Sequence, residues 1–495
     1  MAPSSSVDAL VIEDLGQQKL PARVLTAILR RAGLRVHLVD LNNGVDVIVA
    51  LAKRTVPRVI VSSILFADRV DEHLALMTAL REMCPRAHLT LAGHLPMIAS
   101  AELRAACPAL DSVLCGDTEA NARVIARSAV RDEAIPNSRV GECFASLAMT
   151  TLDDLPLPAR DDGIASYLGY RFATIEASRG CYHACAFCLP SASYCKQGDP
   201  YRLRSITNLV DEIESLYRQG ARLFLFDDEQ FLPPQPARTK RIAAFADELA
   251  RRHLHIAFTI KCRADDVDES LFRRLQEIGL LRVYIGIESG DQATLDLFNK
   301  RVTVQQNAEA LATMDALGII ADFRALIFHP WSTLETIGAE IAFLQSVLPY
   351  CSTFLDFREV EIYPGTPLAN RLRDEGRSDG KMWQTQCTLA DPRAEVVRRA
   401  CRFVFSQSAA YRNTQDALAR EWYACLLARR FCASSANATR ARGLKERARR
   451  VNSESLNVWR EMLEFANEEN ICDAAQVNAR ASAWATRVNA GWTTN

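Results

Sequence analysis

Three cysteines stand close together in the stretch SRGCYHACAFCLP, at Cys181, Cys185 and Cys188. A structural zinc site normally takes four ligands in paired C-x2-C arms, and the sequence has no second arm with that spacing. A redox-active pair would need only Cys185 and Cys188 and would leave Cys181 without a role. A [4Fe–4S] cluster with three thiolate ligands uses all three, and its fourth iron is then open to a substrate or cofactor. The spacing therefore favours an iron–sulfur cluster.

The composition of the whole chain is that of a globular protein. Its 495 residues are too many for one ordinary domain, so two or three domains are predicted. The net charge of −1 gives no reason to expect nucleic acid or an anionic membrane surface as a partner. No apolar run reaches the length of a membrane span, and the N-terminus does not have the pattern of a signal peptide. These features predict a cytoplasmic protein whose thiols stay reduced.

The first region, residues 1–135, alternates strand and helix patterns. Apolar strand patterns at 7–15, 35–41 and 58–66 are separated by segments with helical spacing. The alternation predicts an α/β fold with an N-terminal doubly wound parallel sheet. Ligands of such sheets bind beyond the carboxyl ends of the strands. Small or polar residues predicted at those ends include Ser62, Gly93 and Gly116.

Three further regions follow the predicted sheet. Residues 136–168 are rich in proline and aspartate and are interpreted as a connector. Residues 169–375 contain six strand–helix units, with the fifth strand predicted over 319–328. These units predict a partial (β/α)6 barrel with its functional residues at the carboxyl ends of the strands. The cysteine loop follows the first of these strands. Residues 376–495 are rich in alanine and arginine and predict a small helical C-terminal domain.

The stretch GCYHACAFC resembles the signature of radical S-adenosylmethionine (SAM) enzymes, and the resemblance extends over roughly residues 1–370. It implies that the three cysteines are the metal ligands of the cluster. It also implies that the open iron binds the amino and carboxylate groups of SAM, with Phe187 in the same cofactor-binding stretch. An electron from the cluster, supplied by a donor such as flavodoxin or ferredoxin, then cleaves SAM to a 5′-deoxyadenosyl radical or its organometallic equivalent.

Further segments resemble the same family. FLFDDEQFL is similar to the segment that contacts the methionine amino group, which implies cofactor-binding roles for Asp228 and Glu229. YIGIESGDQATLDLFNKR is similar to the fourth-strand segment, in which Glu288 matches a polar SAM ligand and Lys300 a basic residue that pairs with it. The alternative for Glu288 and Lys300 is an ordinary surface ion pair. Arg324 falls at another cofactor-facing position, where the family often has an acidic residue.

One turn departs from the family pattern. The family usually has a glycine-containing turn after the fifth strand, whereas this chain reads FHPWSTLET, with His329 and Trp331 in place of glycines. Large side chains close space that glycine leaves open. The turn is therefore expected to shape a specific substrate pocket, with His329 either an acid–base group or an ordinary loop histidine.

The N-terminal region resembles the cobalamin-binding domain fused in front of many radical SAM enzymes. LAGHLPM and SVLCGDTEAN are similar to two of its turns. The D-x-H-x-x-G motif, which supplies a cobalt ligand in other cobalamin proteins, is absent from the sequence, so no cobalt ligand is named. The resemblance implies one cobalamin bound between this domain and the barrel, although some members keep the fold and bind no cobalamin.

The resemblance implies a cobalamin-dependent C-methyltransferase that acts on an unactivated carbon of a secondary-metabolite intermediate, with a small molecule or peptide as substrate. The alternative is a radical SAM enzyme that does not methylate, such as a dehydratase, a cyclase or a rearrangement enzyme, in which the N-terminal domain is only a scaffold. An iron–sulfur redox sensor or electron carrier would need neither the barrel nor the Glu288–Lys300 segment.

Overall fold

A computed structural model of the chain describes residues 7–16, 19–67, 69–118, 120–122, 124–125, 151–195, 200–351, 353, 355–378, 383, 387–406, 408–432, 436–468 and 474–493. The first half of the predicted connector, residues 136–150, lies outside the described residues. Within them, the α/β fold class is confirmed, with a parallel N-terminal sheet, a partial barrel and a helical C-terminal region.

The N-terminal sheet has five strands with helices between them. In chain order these elements are β1 (Ala9–Glu13), α1 (Pro21–Arg31), β2 (Val36–Asp40), α2 (Val45–Thr55), β3 (Val59–Ser63), α3 (Val70–Met83), β4 (His88–Ala92), α4 (His94–Ile98), α5 (Ser100–Ala106) and β5 (Ser112–Val113). All pairs are parallel, in the spatial order β2-β1-β3-β4-β5. Leu10 and Ile12 belong to one hydrophobic cluster, and Ala9 and Val11 to another. Since successive side chains of β1 are buried on opposite faces, both faces of the sheet are covered.

The barrel region follows the same strand–helix alternation. Its elements are β6 (Ala165–Tyr167), β7 (Tyr170–Ile175), β8 (Ser178–Gly180), α6 (Leu189–Cys195), β9 (Tyr201–Leu203), α7 (Ile206–Arg218), β10 (Ala221–Phe226), α8 (Ala237–Arg251), β11 (Ala257–Arg263), α9 (Glu269–Ile278), β12 (Leu280–Gly286), α10 (Gln292–Leu297), α11 (Val304–Leu317), β13 (Ile320–Asp322), β14 (Arg324–Phe328), α12 (Leu334–Val347), β15 (Asp356–Glu359) and α13 (Pro367–Asp374). One sheet has the order β13-β12-β11-β10-β7-β6, and β14 pairs with β15. Only β6 runs antiparallel to its neighbour in the six-stranded sheet.

Residues of the barrel strands face alternately outward and inward. Ile260 and Cys262 of β11 and Ile285 of β12 belong to the large hydrophobic cluster that the covering helices complete. Lys261 and Tyr284 lie next to these residues along their strands, so their side chains face the inside of the barrel. The inside is therefore lined in part by polar groups.

The single strand predicted over 319–328 is two strands, β13 and β14. The backbone of Glu288 adopts φ 65°, which turns the chain out of the extended conformation just after β12. β12 pairs with β13 only as far as Asp322. Beyond this point, one isolated β-bridge joins Glu288 to Ala325 of β14. In this bridge the Leu326 amide donates to the Glu288 carbonyl at 2.8 Å.

The C-terminal helices share the hydrophobic core of the barrel. They are α14 (Pro392–Cys401), α15 (Ala409–Cys432), α16 (Ala436–Asn467) and α17 (Ala474–Thr493). Trp459 of α16 is fully buried, with its ring centroid 5.8 Å from that of Phe328 and 5.1 Å from that of Phe357. Tyr423 of α15 packs with the first residues of the barrel strands and donates to or accepts from the Thr259 hydroxyl at 3.2 Å. This end of the barrel is thus closed by a helix.

In the described part of the chain, no helix combines the length and the apolar character needed to cross a membrane.

Gly93, at the turn between β4 and α4, provides a test of the N-terminal fold. Its φ is 115°, and a Cβ atom there would lie 2.2 Å from the carbonyl oxygen of Ile64. We expect Gly93→Ala to lower the free energy of unfolding by about 1–3 kcal/mol, since neither the conformation nor the space suits a side chain. The measurement is the urea midpoint. The control is Gly443→Ala in α16, where a Cβ atom would contact nothing within 4 Å; equal midpoints for the two variants would contradict the prediction.

Candidate active site

The three cysteines lie in the loop between β8 and α6, at the carboxyl end of the first barrel strand, as predicted. Gly180 enters this loop with φ 86°, and a Cβ atom there would lie 2.1 Å from the carbonyl oxygen of Pro200. The glycine is therefore required by the close approach of two backbone segments. Cys181, Cys185 and Cys188 are each partly accessible to solvent, as a site that receives an external group must be.

The segment 298–300, after α10, supports the cysteine loop. The Ala186 amide donates to the Phe298 carbonyl at 2.8 Å, and the Asn299 side-chain amide donates to the Ala184 carbonyl at 2.7 Å. Backbone groups of an irregular loop need partners, and these two bonds supply them from a distant part of the chain. The position of the loop thus depends on the segment that also carries Lys300.

Arg263, at the end of β11, links the same two segments. Its guanidinium donates to the Lys300 carbonyl and, at 3.5 Å, to the Cys185 sulfur, and it pairs with Asp265 at 2.8 Å. Arg263 was not among the residues predicted from the sequence. Arg263 is the last residue of a barrel strand, and this position alone would have predicted a functional role for it.

The thiol groups form a donor set suited to a cluster. Burial is the main cause that raises the pKa of Cys181 to about 12 and that of Cys188 to about 11. Each thiol must lose its proton when it binds metal. Among the described residues, no group of three or more His, Cys, Asp or Glu side chains converges to hold a single metal ion. Such convergence is not needed for a [4Fe–4S] cluster, in which each cysteine binds a different iron.

Glu288 and Lys300 form a buried ion pair, not a surface one. Their charged atoms are 2.9 Å apart, and only 14% and 4% of the two side chains are accessible. Burial alone would lower the pKa of Lys300, but the Glu288 carboxylate raises it above its usual value. A Cβ atom at Gly286 would lie 2.6 Å from the Lys300 nitrogen and 2.8 Å from a Glu288 oxygen. The absence of a side chain at Gly286 therefore leaves room for the pair.

Two buried side chains hold the turn that carries this glutamate. Asn307 of α11 donates to the carbonyls of Ile287 and Ser289 at 3.1 and 2.9 Å. Glu340 of α12 accepts from the Ser289 hydroxyl at 2.7 Å and from the Gly290 amide, and burial raises its pKa to about 7. Neither residue was predicted from the sequence, because the only signal of each is a lone polar residue on the apolar face of a helix.

The two predicted cofactor residues after β10, Asp228 and Glu229, have different environments. Asp228 is fully buried, accepts from the Ala177 amide at 3.2 Å and from the Ser178 hydroxyl, and has its pKa raised by burial to about 7. Glu229 accepts from the Gly180 amide at 2.9 Å and keeps 20% of its side chain accessible. Burial raises its pKa to about 7 as well. Glu229 can therefore reach a ligand, whereas Asp228 is committed to the start of the cysteine loop.

Phe187 and Arg324 lie in different parts of the barrel. The Phe187 ring packs edge to face on Phe298, with centroids 5.0 Å apart, and so belongs to the support of the cysteine loop. Arg324 pairs with Asp356 of β15 at 3.5 Å, and its guanidinium lies 5.6 Å from the centroid of the Tyr284 ring of β12. The contacts of Arg324 are thus with inward-facing residues of other strands.

The unusual turn after β14 is well packed. His329 is buried, shares a hydrogen bond of 3.2 Å with the Thr294 hydroxyl, and has its ring centroid 5.4 Å from that of Phe298. Burial lowers the pKa of His329 to about 4, so the ring is neutral at physiological pH. The Trp331 indole donates to the Glu375 carboxylate at 3.0 and 2.9 Å, which fastens the turn to the end of α13.

The three predicted residues of the N-terminal sheet are engaged within their own domain. Ser62 is fully buried and lies 2.7 Å from the Nδ1 atom of His73. The amide and carbonyl of Gly116 both bind the Asn121 side chain, at 3.2 and 2.8 Å. Gly93 permits the tight turn before α4. These residues shape the carboxyl edge of the sheet.

That edge faces the helix that follows the cysteine loop. The Nε2 atom of His94 lies 3.3 Å from the Tyr194 hydroxyl and 3.9 Å from a Glu229 oxygen. Nearby, Arg202 pairs with Asp117 at 2.9 Å. The N-terminal domain and the barrel therefore meet through polar contacts next to the cysteines.

Two buried polar atoms near this edge have no hydrogen-bond partner among the described residues: Oε1 of Glu13 and Nδ1 of His94. The other Glu13 oxygen accepts from the Ala22 amide at 2.8 Å. Burial raises the pKa of Glu13 to about 8 and lowers that of His94 to about 4. Because buried polar groups are nearly always paired, these two atoms fit a site that receives a polar ligand.

Comparison with known families identifies both domains. A model of the Radical SAM superfamily matches residues 175–337, and a model of the B12 binding domain matches residues 17–126. The first match includes the cysteine loop and the Glu288–Lys300 pair, and the second includes the carboxyl edge of the N-terminal sheet.

Three curated relatives are similar over part of their length. An anaerobic magnesium-protoporphyrin IX monomethyl ester cyclase of Rubrivivax gelatinosus is 30% identical over 207 residues, which are 40% of this chain and 36% of the relative. The uncharacterized methyltransferase PH0819 of Pyrococcus horikoshii is 25% identical over 53% of this chain and 58% of its own. The hopanoid C-3 methylase of Methylococcus capsulatus is 27% identical over 63% of this chain and 62% of the methylase. The chain thus spans between about a third and two thirds of these relatives.

Two solved structures share the fold. The cobalamin-dependent SAM radical enzyme OxsB with aqua-cobalamin bound has a TM-score of 0.64 at 16% identity, over 98% of this chain and 85% of that chain. The radical SAM methyltransferase TsrM from Kitasatospora setae, with cobalamin and a [4Fe–4S] cluster bound, has a TM-score of 0.57 at 17% identity, over 76% of each chain. At these identities the likeness concerns the fold.

The two matched domains imply three cofactors: a [4Fe–4S] cluster, SAM and cobalamin. The residues present fit them. Three partly accessible thiols lie in one loop, a buried ion pair lies next to it, and two polar atoms without partners lie near the junction of the domains.

Replacement of the cysteines tests the cluster assignment. We expect Cys181→Ala, Cys185→Ala and Cys188→Ala each to lose the cluster, because a two-cysteine loop leaves two irons without protein ligands. The measurements are iron and sulfide content and visible absorption after anaerobic reconstitution. Cys432→Ala is the control, since Cys432 is exposed on α15. An intact cluster in the Cys185→Ala protein, or a lost one in the control, would contradict the assignment.

Proposed function

The chain belongs to the radical SAM superfamily and carries a B12-binding domain, and on this premise we propose that it is a C-methyltransferase. Its substrate is a small-molecule intermediate of secondary metabolism, methylated at an unactivated carbon. The methylases among the curated relatives align with a larger share of this chain than the cyclases and the synthase do. A flavodoxin or ferredoxin is the proposed electron donor.

The observation that carries the proposal is the contact between the two domains. His94, at the carboxyl edge of the N-terminal sheet, lies within 4 Å of Tyr194 and Glu229, which flank the cysteine loop. When bound, the cluster and SAM supply a substrate radical, and cobalamin supplies the methyl group that such a radical accepts. A methyl donor at this contact would lie beside the open mouth of the barrel, where methyl transfer requires it.

In this proposal the chain's own residues have separate tasks. Cys181, Cys185 and Cys188 hold the cluster. Glu288 and Lys300 bind the polar groups of SAM through charge-assisted hydrogen bonds. Glu229 accepts from the methionine ammonium, since its carboxylate is accessible, whereas Asp228 is fully buried and Asp227 pairs with Lys261.

Asp228 then has a supporting task. It fixes the first residues of the cysteine loop through the Ala177 amide and the Ser178 hydroxyl, and its buried position leaves no surface for a ligand. Its role in cofactor binding is therefore indirect. Phe187 likewise acts through its packing on Phe298.

A second function is favoured by a different observation. The magnesium-protoporphyrin cyclase of Rubrivivax gelatinosus is 30% identical to the aligned part of this chain, against 25% and 27% for the two methylases. Cyclases and a synthase also occur among the curated relatives. The alternative is therefore a radical SAM enzyme that forms or rearranges a ring without methylation.

The products of SAM distinguish the two functions. The protein is reconstituted anaerobically with iron, sulfide and cobalamin, then incubated with SAM and a reductant and analysed by mass spectrometry. A methyltransferase is expected to form S-adenosylhomocysteine, and to form none when cobalamin is left out. Formation of 5′-deoxyadenosine alone under both conditions would replace the methyltransferase with the non-methylating enzyme.

The ion pair provides a test of SAM binding. Glu288→Ala is expected to weaken SAM binding about ten- to a hundred-fold, which corresponds to about 1.5–3 kcal/mol for one charge-assisted contact. Gly286→Ala should weaken it too, because the added methyl group displaces the flexible end of Lys300. Cluster content should stay unchanged in both variants.

The control for this test is Gly338→Ala in α12, where a Cβ atom would contact nothing within 4 Å. SAM affinity is measured by equilibrium dialysis of the reconstituted proteins. Affinities equal to that of the wild type in both Glu288→Ala and Gly286→Ala would show that the pair is only structural.

A further inference from the structure

A ring of charged and polar side chains lines the inside of the barrel at one level. Five strands contribute to it, because alternate residues face inward on each strand. Outward-facing neighbours such as Ala325 and Phe357 are buried in the large hydrophobic cluster. The ring consists of Asp227 after β10, Lys261 on β11, Tyr284 on β12, Arg324 on β14, and Asp356 and Arg358 on β15.

These side chains are surrounded by strands and yet are reached by water. The accessible fractions are 37% for the Lys261 side chain, 52% for Arg324 and 57% for Arg358. One end of the barrel is closed by α15, whose Tyr423 packs against the strand starts. The accessible surface of the ring therefore opens toward the other end, where the cysteine loop and the Glu288–Lys300 pair lie. A molecule that enters from that end would bind next to the cofactor residues.

The charges of the ring are not balanced. Lys261 and Asp227 neutralise each other at 2.7 Å. Arg324 and Arg358 both pair with Asp356, at 3.5 and 2.7 Å, so two guanidinium groups share one carboxylate. One positive charge is left over on the β14–β15 side, and guanidinium groups bind carboxylates and phosphates through paired hydrogen bonds.

We propose that Arg324 and Arg358 form the binding site for an anionic group of the substrate, a carboxylate or a phosphate. The proposal deepens the proposed function and rests on it, since it names the chemical class of the molecule that the enzyme acts on. It also assigns Arg324 to the substrate and not to SAM.

Two physical features support the site. Ion pairs that are accessible to water contribute only about 0–1 kcal/mol, so an incoming anion can replace Asp356 as the partner of a guanidinium at little cost. Tyr284 lies beside Arg324, and burial raises its pKa, so its hydroxyl remains protonated and able to donate a hydrogen bond. The site therefore offers donors without a competing negative charge from the phenol.

The test uses the protein reconstituted with its cluster and with SAM bound, and inorganic phosphate and acetate as probes. Each anion is titrated by isothermal calorimetry in a buffer of low ionic strength, with acetamide as the uncharged counterpart of acetate. We expect at least one anion to bind to the wild type, and to bind at least ten-fold more weakly to Arg324→Gln and to Arg358→Gln. The preferred anion distinguishes a phosphate-bearing substrate from a carboxylic acid.

Arg371→Gln is the matched control, because Arg371 lies on α13 outside the barrel and pairs with Glu375. Anion affinity should be unchanged in this variant, and SAM affinity should be unchanged in all three. Weaker SAM binding by Arg324→Gln would assign this residue to the cofactor site and overturn the proposal. The proposal would also be overturned if the wild type bound acetate and acetamide with equal affinity and did not bind phosphate. Neither outcome depends on cobalamin, so this failure is distinct from failure of the methyltransferase assignment.

Discussion

The cysteine loop depends on the segment 298–300, because the loop has no regular structure of its own. The amide of Ala186 and the carbonyl of Ala184 are bound by this segment, and Arg263 joins its last carbonyl to the Cys185 sulfur. The same segment carries Lys300, which pairs with Glu288. One segment thus supports the loop of metal ligands and carries one of the charged groups beside it. Cluster and SAM sites on these residues would share one support.

The Glu288–Lys300 pair is buried, so both of its charges need a partner. Removal of one partner of a buried ion pair typically costs about 3–5 kcal/mol, because the remaining charge is left uncompensated. Groups from several elements hold the pair in place. Gly286 leaves space for it, and Asn307 and Glu340 fix the turn at Glu288. A non-glycine residue at φ 65° persists only where its surroundings hold it, as they do here.

Much of the fold follows from local patterns in the sequence. The spacing of the cysteines and the alternation of strands and helices each depend on residues close together in the chain, and the loop after the first barrel strand was predicted correctly. The division of 319–328 into two strands was not, because it depends on pairing with β12 and on the bridge to Glu288, both in another part of the chain. The residues that hold this glutamate, Asn307 and Glu340, are distant in sequence and lack a periodic signal. Their roles depend on tertiary contacts, which one sequence does not reveal.

The junction of the two domains and the inside of the barrel are parts of one polar region. Asp227, which belongs to the ring of the barrel, also contributes to the electrostatic environment of Glu13 and His94 at the edge of the N-terminal sheet. Polar surface in the interior of a protein is costly unless water or a ligand satisfies it. A continuous polar region between a B12-binding domain and a radical SAM domain is therefore most simply explained as space for cofactors and substrate. In the proposed site, the anionic group of the substrate would lie toward β14 and β15, and its reacting carbon would lie toward the domain junction.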